Sequence, residues 1–177
     1  MLQEWNKKIN LTTITDPIAI IKEHFQDSLM ISHFIDFLPI MMICDVGTGA
    51  GFPGIPLKIC YPHLAVVLIE VSKKKILFLE KLIDVLRLEN VLLGSLDWRT
   101  FLRKTNYSID LFLARASLSV EELIRMFKPA CHYRNAQLVY WASRTWVIPA
   151  VAQSFIQKEE WYKINNKKRR YIFFQTA

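Results

Sequence analysis

Apolar residues in this chain gather into short unbroken runs, separated by segments where they recur every three or four positions. The runs at 40–45 and 65–70 are apolar until a carboxylate, Asp45 or Glu70, closes each one. Similar runs lie at 90–94, 110–115 and 137–141. Continuous apolar runs of this length suit strands buried on both faces of a parallel sheet. Between them, 54–60, 73–88 and 120–127 have helical spacing, the last closed by Pro129. In the 73–88 helix, Ile76, Leu79, Leu82, Ile83 and Leu86 share one face. Residues 16–33 predict another helix, with Asp16 as its cap and Pro17 in its first position. A β-rich tail follows, Lys158–Ile164 and Tyr171–Gln175, joined by the polar turn Asn165-Asn166-Lys167. Strands alternating with helices and ending in a hairpin predict an α/β fold, a doubly wound and mostly parallel sheet with an antiparallel C-terminal edge. The whole chain, 1–177, reads as one domain with 1–36 as an N-terminal helical segment.

Four of the five glycines fall in the eight residues from Gly47 to Gly54, within Asp45-Val46-Gly47-Thr48-Gly49-Ala50-Gly51-Phe52-Pro53-Gly54. Glycine costs conformational entropy in ordinary elements, so such a cluster implies backbone that turns tightly or approaches something closely. Placed between a buried strand and a helix, it has the geometry of a nucleotide-type cofactor site at the carboxyl edge of a sheet. Gly49 to Gly54 formally satisfies the dinucleotide pattern G-x-G-x-x-G. Pro53 and Pro56, however, have no N–H to aim at a pyrophosphate, and Asp45 places negative charge where two phosphates would sit. S-adenosylmethionine has no phosphate and carries a sulfonium and an ammonium, which the same carboxylate complements. Asp45, Gly47, Thr48, Gly49 and Gly51 are therefore candidate cofactor-binding residues. Glu70, about twenty residues beyond the glycine turn, is placed to accept both ribose hydroxyls of an adenosine. Lys73, Lys74 and Lys75 open the next helix, where cations oppose the macrodipole and so suggest an anionic partner or a solvated surface.

A net charge of +7 and a pI near 9.4 suit a partner such as RNA. No apolar run is long enough for a membrane span, and the amino terminus lacks the pattern of a signal peptide. Cys44, Cys60 and Cys131 are odd in number and widely spaced, as expected of reduced thiols in the cytoplasm. Neither they nor His24, His33, His63 and His132 have metal-ligand spacing, so no metal is expected.

The chain resembles the bacterial small-subunit rRNA guanine-N7 methyltransferases of the RsmG family, also called glucose-inhibited division protein B. The matching stretches are Trp5 to Thr12 (W-N-K-x-x-N-L-T), His24 to Leu29, Asp45 to Leu57, Leu88 to Val91 and Ala114 to Ala116. The resemblance runs nearly from end to end. It implies a Rossmann-like class I methyltransferase fold, S-adenosyl-L-methionine as donor and a guanosine N7 in 16S rRNA or the small ribosomal subunit as acceptor. It also implies a cytoplasmic protein, here expected to be a monomer. By position, Gly47 and Phe52 would line the methionine and ribose side of the donor, and Glu70 would hold the ribose. The backbone at Trp98 and Arg99 would receive the adenine. Arg115, at the end of the fourth strand, would lie near both donor and RNA, and Lys74 and Arg170 would face RNA. For Arg170, in the run Lys167-Lys168-Arg169-Arg170, an ordinary solvated turn is the competing reading. His24 and Asp27 are kept as candidate RNA-binding residues beside the commoner role of hydrogen bonding on a helix surface. Guanine N7 has an in-plane lone pair and no proton to lose, so no acid–base residue is nominated. Catalysis would rest on alignment and electrostatic support.

Some positions depart from the family pattern. Family members usually carry further helical sequence ahead of the position of Trp5. Asp97 stands where an arginine commonly opens the adenine loop, and Glu23 where a basic residue usually precedes the histidine. Trp141-Ala142-Ser143 replaces Leu-Lys-Gly after the fifth strand. Each swap removes positive charge, which would weaken RNA binding and flatten its salt dependence. A catalytically impaired relative that binds RNA or assists ribosome assembly is thus the alternative to an active enzyme. A dinucleotide oxidoreductase is a more distant one.

Overall fold

The computed structural model describes residues 1–176. Its strands are β1 (Met42–Val46), β2 (Ala65–Ile69), β3 (Val91–Gly94), β4 (Leu111–Arg115), β5 (Gln137–Ser143), β6 (Ile156–Ile164) and β7 (Lys167–Phe174). They form one sheet in the order β3-β2-β1-β4-β5-β7-β6. β3, β2, β1, β4 and β5 are parallel, while β7 runs antiparallel to both β5 and the edge strand β6. The helices are α1 (Leu2–Asn6), α2 (Pro17–Ile20), α3 (Asp27–Leu29), α4 (Gly54–Cys60), α5 (Lys73–Leu86), α6 (Trp98–Lys104) and α7 (Val120–Leu123).

Strand side chains alternate between two apolar layers, which explains the unbroken apolar runs. Ile43, Val66, Leu68, Leu111 and Leu113 face Ile31 of the N-terminal segment, Ile55 and Leu57 of α4, and Phe78 and Leu79 of α5. Cys44, Val67, Ile69, Phe112 and Ala114 face Trp98 and Phe101 of α6 and Val120 and Leu123 of α7. Burying each Val, Leu, Ile or Phe among them contributes about 1.5–3 kcal/mol relative to exposure. The carboxyl ends of β1, β2 and β4 are thereby held side by side, in the crevice where an open α/β sheet binds its ligand.

Several expected boundaries shift. The 73–88 helix ends at Leu86, because Arg87 turns left-handed (φ 50°) and the Leu88 amide reaches back to the Ile83 carbonyl. On that helix Phe78 is buried and Leu86 is exposed, so the inward face sits slightly off the predicted stripe. Residues 16–33 form one helical stretch of changing pitch, with a π segment at Ile21–Gln26 and a 3-10 turn at Met30–His33. The 120–127 helix tightens to 3-10 after Leu123, and Lys128 ahead of Pro129 is extended. The basic run Lys167–Arg170 is not a solvated turn but the first half of β7. Lys168 and Arg170 pack over the Trp161 ring of β6, and Lys167 and Arg169 pair with Glu23. Charge neutralisation and aromatic stacking let four cations enter a strand.

Candidate functional site

The glycine turn is tied shut from beneath by Asp45. Its Oδ2 accepts from the Thr48 hydroxyl (2.6 Å) and the Gly54 amide (2.8 Å), and the side chain is buried. Gly54 makes this possible, because a Cβ there would come within 2.7 Å of Leu68 and 3.0 Å of Asp45 Oδ2. Gly47 is left-handed (φ 67°), and a Cβ on it would meet the Ser117 Cβ at 2.6 Å. Two buried oxygens around this turn, Asp45 Oδ1 and Ser117 Oγ, have no partner. Burial pushes the Asp45 carboxyl up to about 6, despite the opposing hydrogen bonds from Thr48 and Gly54.

Glu70 stands just past the end of β2. It accepts from the Gly49 amide (3.1 Å) with one oxygen and from the Ser72 amide (2.9 Å) with the other. Each oxygen keeps a second lone pair, so the carboxylate is oriented rather than used up. Lys75 lies 3.9 Å from it. Trp98 and Arg99 begin α6, which Asp97 caps by accepting from the Thr100 amide. The departure at Asp97 therefore has a structural cause: a carboxylate caps this helix where an arginine could not. The Trp98 indole is buried and donates to the Glu122 carbonyl, while Arg99 forks onto the Glu122 carboxylate.

The crevice is closed on its other side by the N-terminal segment, which Arg115 at the end of β4 binds. The Arg115 guanidinium donates to Asp27 Oδ2 (3.1 Å) and the Glu23 carbonyl (3.3 Å), and lies 3.1 Å from His24 Nδ1. It also sits 5.5 Å from the Phe52 ring centre, and His24 stacks on that same ring at 4.9 Å. Asp27 is fully buried, which corrects the helix-surface reading: it also accepts from Arg169 (2.7 Å) and Tyr162 (2.8 Å). Burial, together with the positive Arg115, holds the His24 imidazole down to about 4, so near neutral pH it is uncharged. Its Nε2 lies 2.7 Å from the Thr12 hydroxyl. Thr12 is placed by Asn6, whose amide accepts from the Leu11 and Thr12 amides and donates to the Thr12 carbonyl. The W-N-K-x-x-N-L-T stretch is thus a clamp that positions His24.

The structure links Asp45 to Thr48 and Gly54, Glu70 to Gly49, and Phe52 to His24, Arg115 and through it Asp27, whereas Trp98 and Arg99 are bound to Glu122 at the start of α6. Lys74 stands apart, lining a cavity of about 320 Å³ with Lys8, Asn10 and Ser72. Arg170 is inside the sheet, bonded to Glu159 and the Trp146 carbonyl. Sequence reasoning missed Thr12, Tyr162 and Arg169. Tyr162 and Arg169 come from the C-terminal hairpin, more than 130 residues from Asp27, and no local pattern signals such a contact. Beside Arg115 opens a cavity of about 440 Å³ lined by His24, Tyr140, Trp141, Trp146 and Arg169. Its aromatic walls and cationic rim suit a planar base with an anionic backbone.

Together, the strand order, the left-handed glycine turn and the acid after β2 define a class I methyltransferase fold. Solved structures share it: a putative methyltransferase yhhF from Escherichia coli superposes with a TM-score of 0.62 at 14% identity, covering 86% of this chain and 85% of that one. MtNAS in complex with MTA and tNA gives 0.71 at 12% identity, covering 99% of this chain and 70% of that one. The chain belongs to the GidB family, rRNA small subunit methyltransferase G, whose profile matches residues 1–169. The ribosomal RNA small subunit methyltransferase G of Bacillus subtilis (strain 168) is 43% identical over 131 residues, 73% of this chain and 55% of the relative. That of Lysinibacillus sphaericus (strain C3-41) is 50% identical over 91 residues, 51% of this chain and 38% of the relative. The chain spans about half the length of the curated relatives it matches. Among the described residues, no cluster of three or more metal-ligating side chains occurs and no helix is long and apolar enough to cross a membrane.

Proposed function

We propose that this chain transfers a methyl group from S-adenosylmethionine to N7 of a guanosine in 16S rRNA, acting in the cytoplasm on the free RNA or the small subunit. The observation that carries the reading is the glycine turn itself. It is anchored by Asp45, left-handed at Gly47, and flanked by two unpartnered buried oxygens and the oriented Glu70 carboxylate. These groups fit a donor that bears positive charge and ribose hydroxyls and has no phosphate. A solved variant of MtNAS, similar in fold at a TM-score of 0.62, was crystallised with S-adenosylmethionine. Bound in this crevice, the donor supplies an electrophilic methyl on a sulfonium. Glu70 would accept from the ribose hydroxyls, the backbone at Trp98 and Arg99 would border the adenine, and Gly47 would leave room for the methionine portion.

The acceptor chemistry asks for no base, because guanine N7 has a lone pair and no proton to lose. His24 is uncharged near neutral pH and engaged with Thr12 and Arg115. Arg115, held by Asp27 and set beside the Phe52 ring, instead lines the aromatic cavity, where it would help to align the base. Of the substitutions that suggested an impaired relative, Glu23 holds the C-terminal hairpin and Asp97 caps α6, whereas Ala142, at the position of the expected lysine, lines the aromatic cavity itself. Incubating the protein with radiolabelled donor and 16S rRNA or small subunits from cells lacking this methylation tests the reading. Label should enter the RNA at a site that becomes cleavable by reduction and aniline, as N7-methylguanosine does. RNA binding without label would favour the impaired relative.

A further inference from the structure

A second cleft lies outside the donor crevice, between α6 and the segment 125–132, with a volume of about 690 Å³. Arg99 and Arg103, one helical turn apart on α6, form one wall, and Arg125, Lys128 and His132 stand on the other. Leu102, Ala130 and Cys131 give it an apolar floor. The nearby carboxylate, Glu122, is already shared between Arg99 (2.6 Å) and Arg125 (3.0 Å). Arg103 spends its Nε on the Arg99 carbonyl and keeps its terminal nitrogens for solvent. Arg103, Lys128 and His132 are exposed, and among the described residues none of them has a carboxylate partner.

This charge arrangement is not explained by folding. Four permanent cations gather around two carboxylates, Glu122 and the helix-capping Asp97, and core packing does not require them at the mouth of an open cleft. Arg103 also points to the same opening as Lys128 rather than to separate solvent faces. An apolar floor between two cationic walls matches a nucleic-acid strand: phosphates reach the rims, and riboses or bases lie on the floor. At its Arg99 end the cleft adjoins the start of α6, which follows β3 at the carboxyl edge of the parallel sheet, so a strand crossing that edge could continue into it. We propose that this cleft is a second RNA-binding groove, holding the phosphate backbone of the substrate beyond the modified nucleotide. The proposal rests on RNA being the substrate, as argued above.

The test uses the full chain and a fluorescein-labelled, mixed-sequence 20-nucleotide single-stranded RNA, with anisotropy titrations at several KCl concentrations. The double variant Arg103→Gln/Lys128→Gln should bind about tenfold more weakly, and the slope of log K against log[salt] should flatten by about 1.4, roughly 0.7 for each phosphate contact on a single strand. S-adenosylhomocysteine affinity should stay unchanged, which shows that the variant is folded. Lys104→Gln/Arg134→Gln removes two exposed cations that do not line the cleft and should leave the slope near the unmodified value. Should the double variant fail to fold, either single substitution should flatten the slope by about half as much. Unchanged affinity and slope in the cleft variants would overturn the groove and leave the methyltransferase reading standing, as would an equal loss in the control pair. Absence of RNA binding by the unmodified chain would overturn both.

Discussion

Asp27 is the residue on which the N-terminal segment, the parallel sheet and the C-terminal hairpin converge. It is buried and accepts from Arg115, Arg169 and Tyr162. Removing one partner of a buried pair leaves an uncompensated charge, so Asp27→Ala should cost about 3–5 kcal/mol in denaturant unfolding. Arg115→Ala should cost less, because Arg169 and Tyr162 still satisfy the carboxylate. A result in which the two are equal would mean that Arg115 alone carries the junction. Asp45 and His24 make a second, pH-dependent prediction. The Asp45 carboxyl is raised from 3.8 to about 6, so the folded state holds its proton more tightly than the unfolded one. Its contribution is complete below 3.8 and fades as pH rises through about 6. The His24 imidazole is lowered from 6.5 to about 4, so its contribution is complete above 6.5 and fades as pH falls through about 4. Across this window the two oppose each other. Asp45→Asn keeps an acceptor for Thr48 and Gly54 but no longer titrates. Its melting temperature should therefore fall more steeply between pH 7 and pH 4.5 than that of the unmodified protein, whereas His24→Gln should fall less steeply. Thermal unfolding at both pH values compares the three proteins.

At the scale of elements, the N-terminal clamp is the part most open to dissection. Asn6 makes three hydrogen bonds that shape the Leu11–Thr12 bend, and through Thr12 it orients His24. Asn6→Ala should cost about 1–3 kcal/mol, from hydrogen bonds worth roughly 1 kcal/mol each. It should also raise hydrogen exchange across residues 17–33 while leaving the parallel strands protected. Uniform loss of protection would instead show that the clamp and the sheet open as one unit. The parallel strands and the glycine turn were legible because their signals are local: unbroken apolar runs and clustered glycines. Asp45 was legible as the carboxylate ahead of the glycine turn, but its buried position under the turn was not, since only the backbone path shows which side it faces. α6 gave no periodic signal because it is seven residues long, and its start is fixed by the Asp97 cap alone. The basic half of β7 contradicts strand propensity, and only its contacts with Trp161, Glu23 and Asp27 account for it. Asp27 was misread for the same reason, its partners lying far away in sequence.

For the whole molecule, the net charge of +7 is spread unevenly in function. Arg115, Lys167, Arg169 and Arg170 are spent on internal carboxylates, whereas Lys73, Lys74, Arg103 and Lys128 remain exposed and without carboxylate partners among the described residues. Under the proposed function, methyl transfer to RNA should weaken as salt rises, while S-adenosylhomocysteine affinity should change little between 50 and 300 mM KCl, conditions chosen to span roughly the Debye range. A parallel salt dependence of the two would mean that the exposed cations help to bind the donor. Donor binding by itself tests the central claim most directly. Calorimetric titration of the purified chain with S-adenosylhomocysteine, with NAD as control, should give binding of about micromolar affinity for the first ligand and none for the second, a difference of several kcal/mol. Silence toward S-adenosylhomocysteine from a folded sample, or comparable binding of NAD, would contradict the assignment of the glycine turn to a methyl donor.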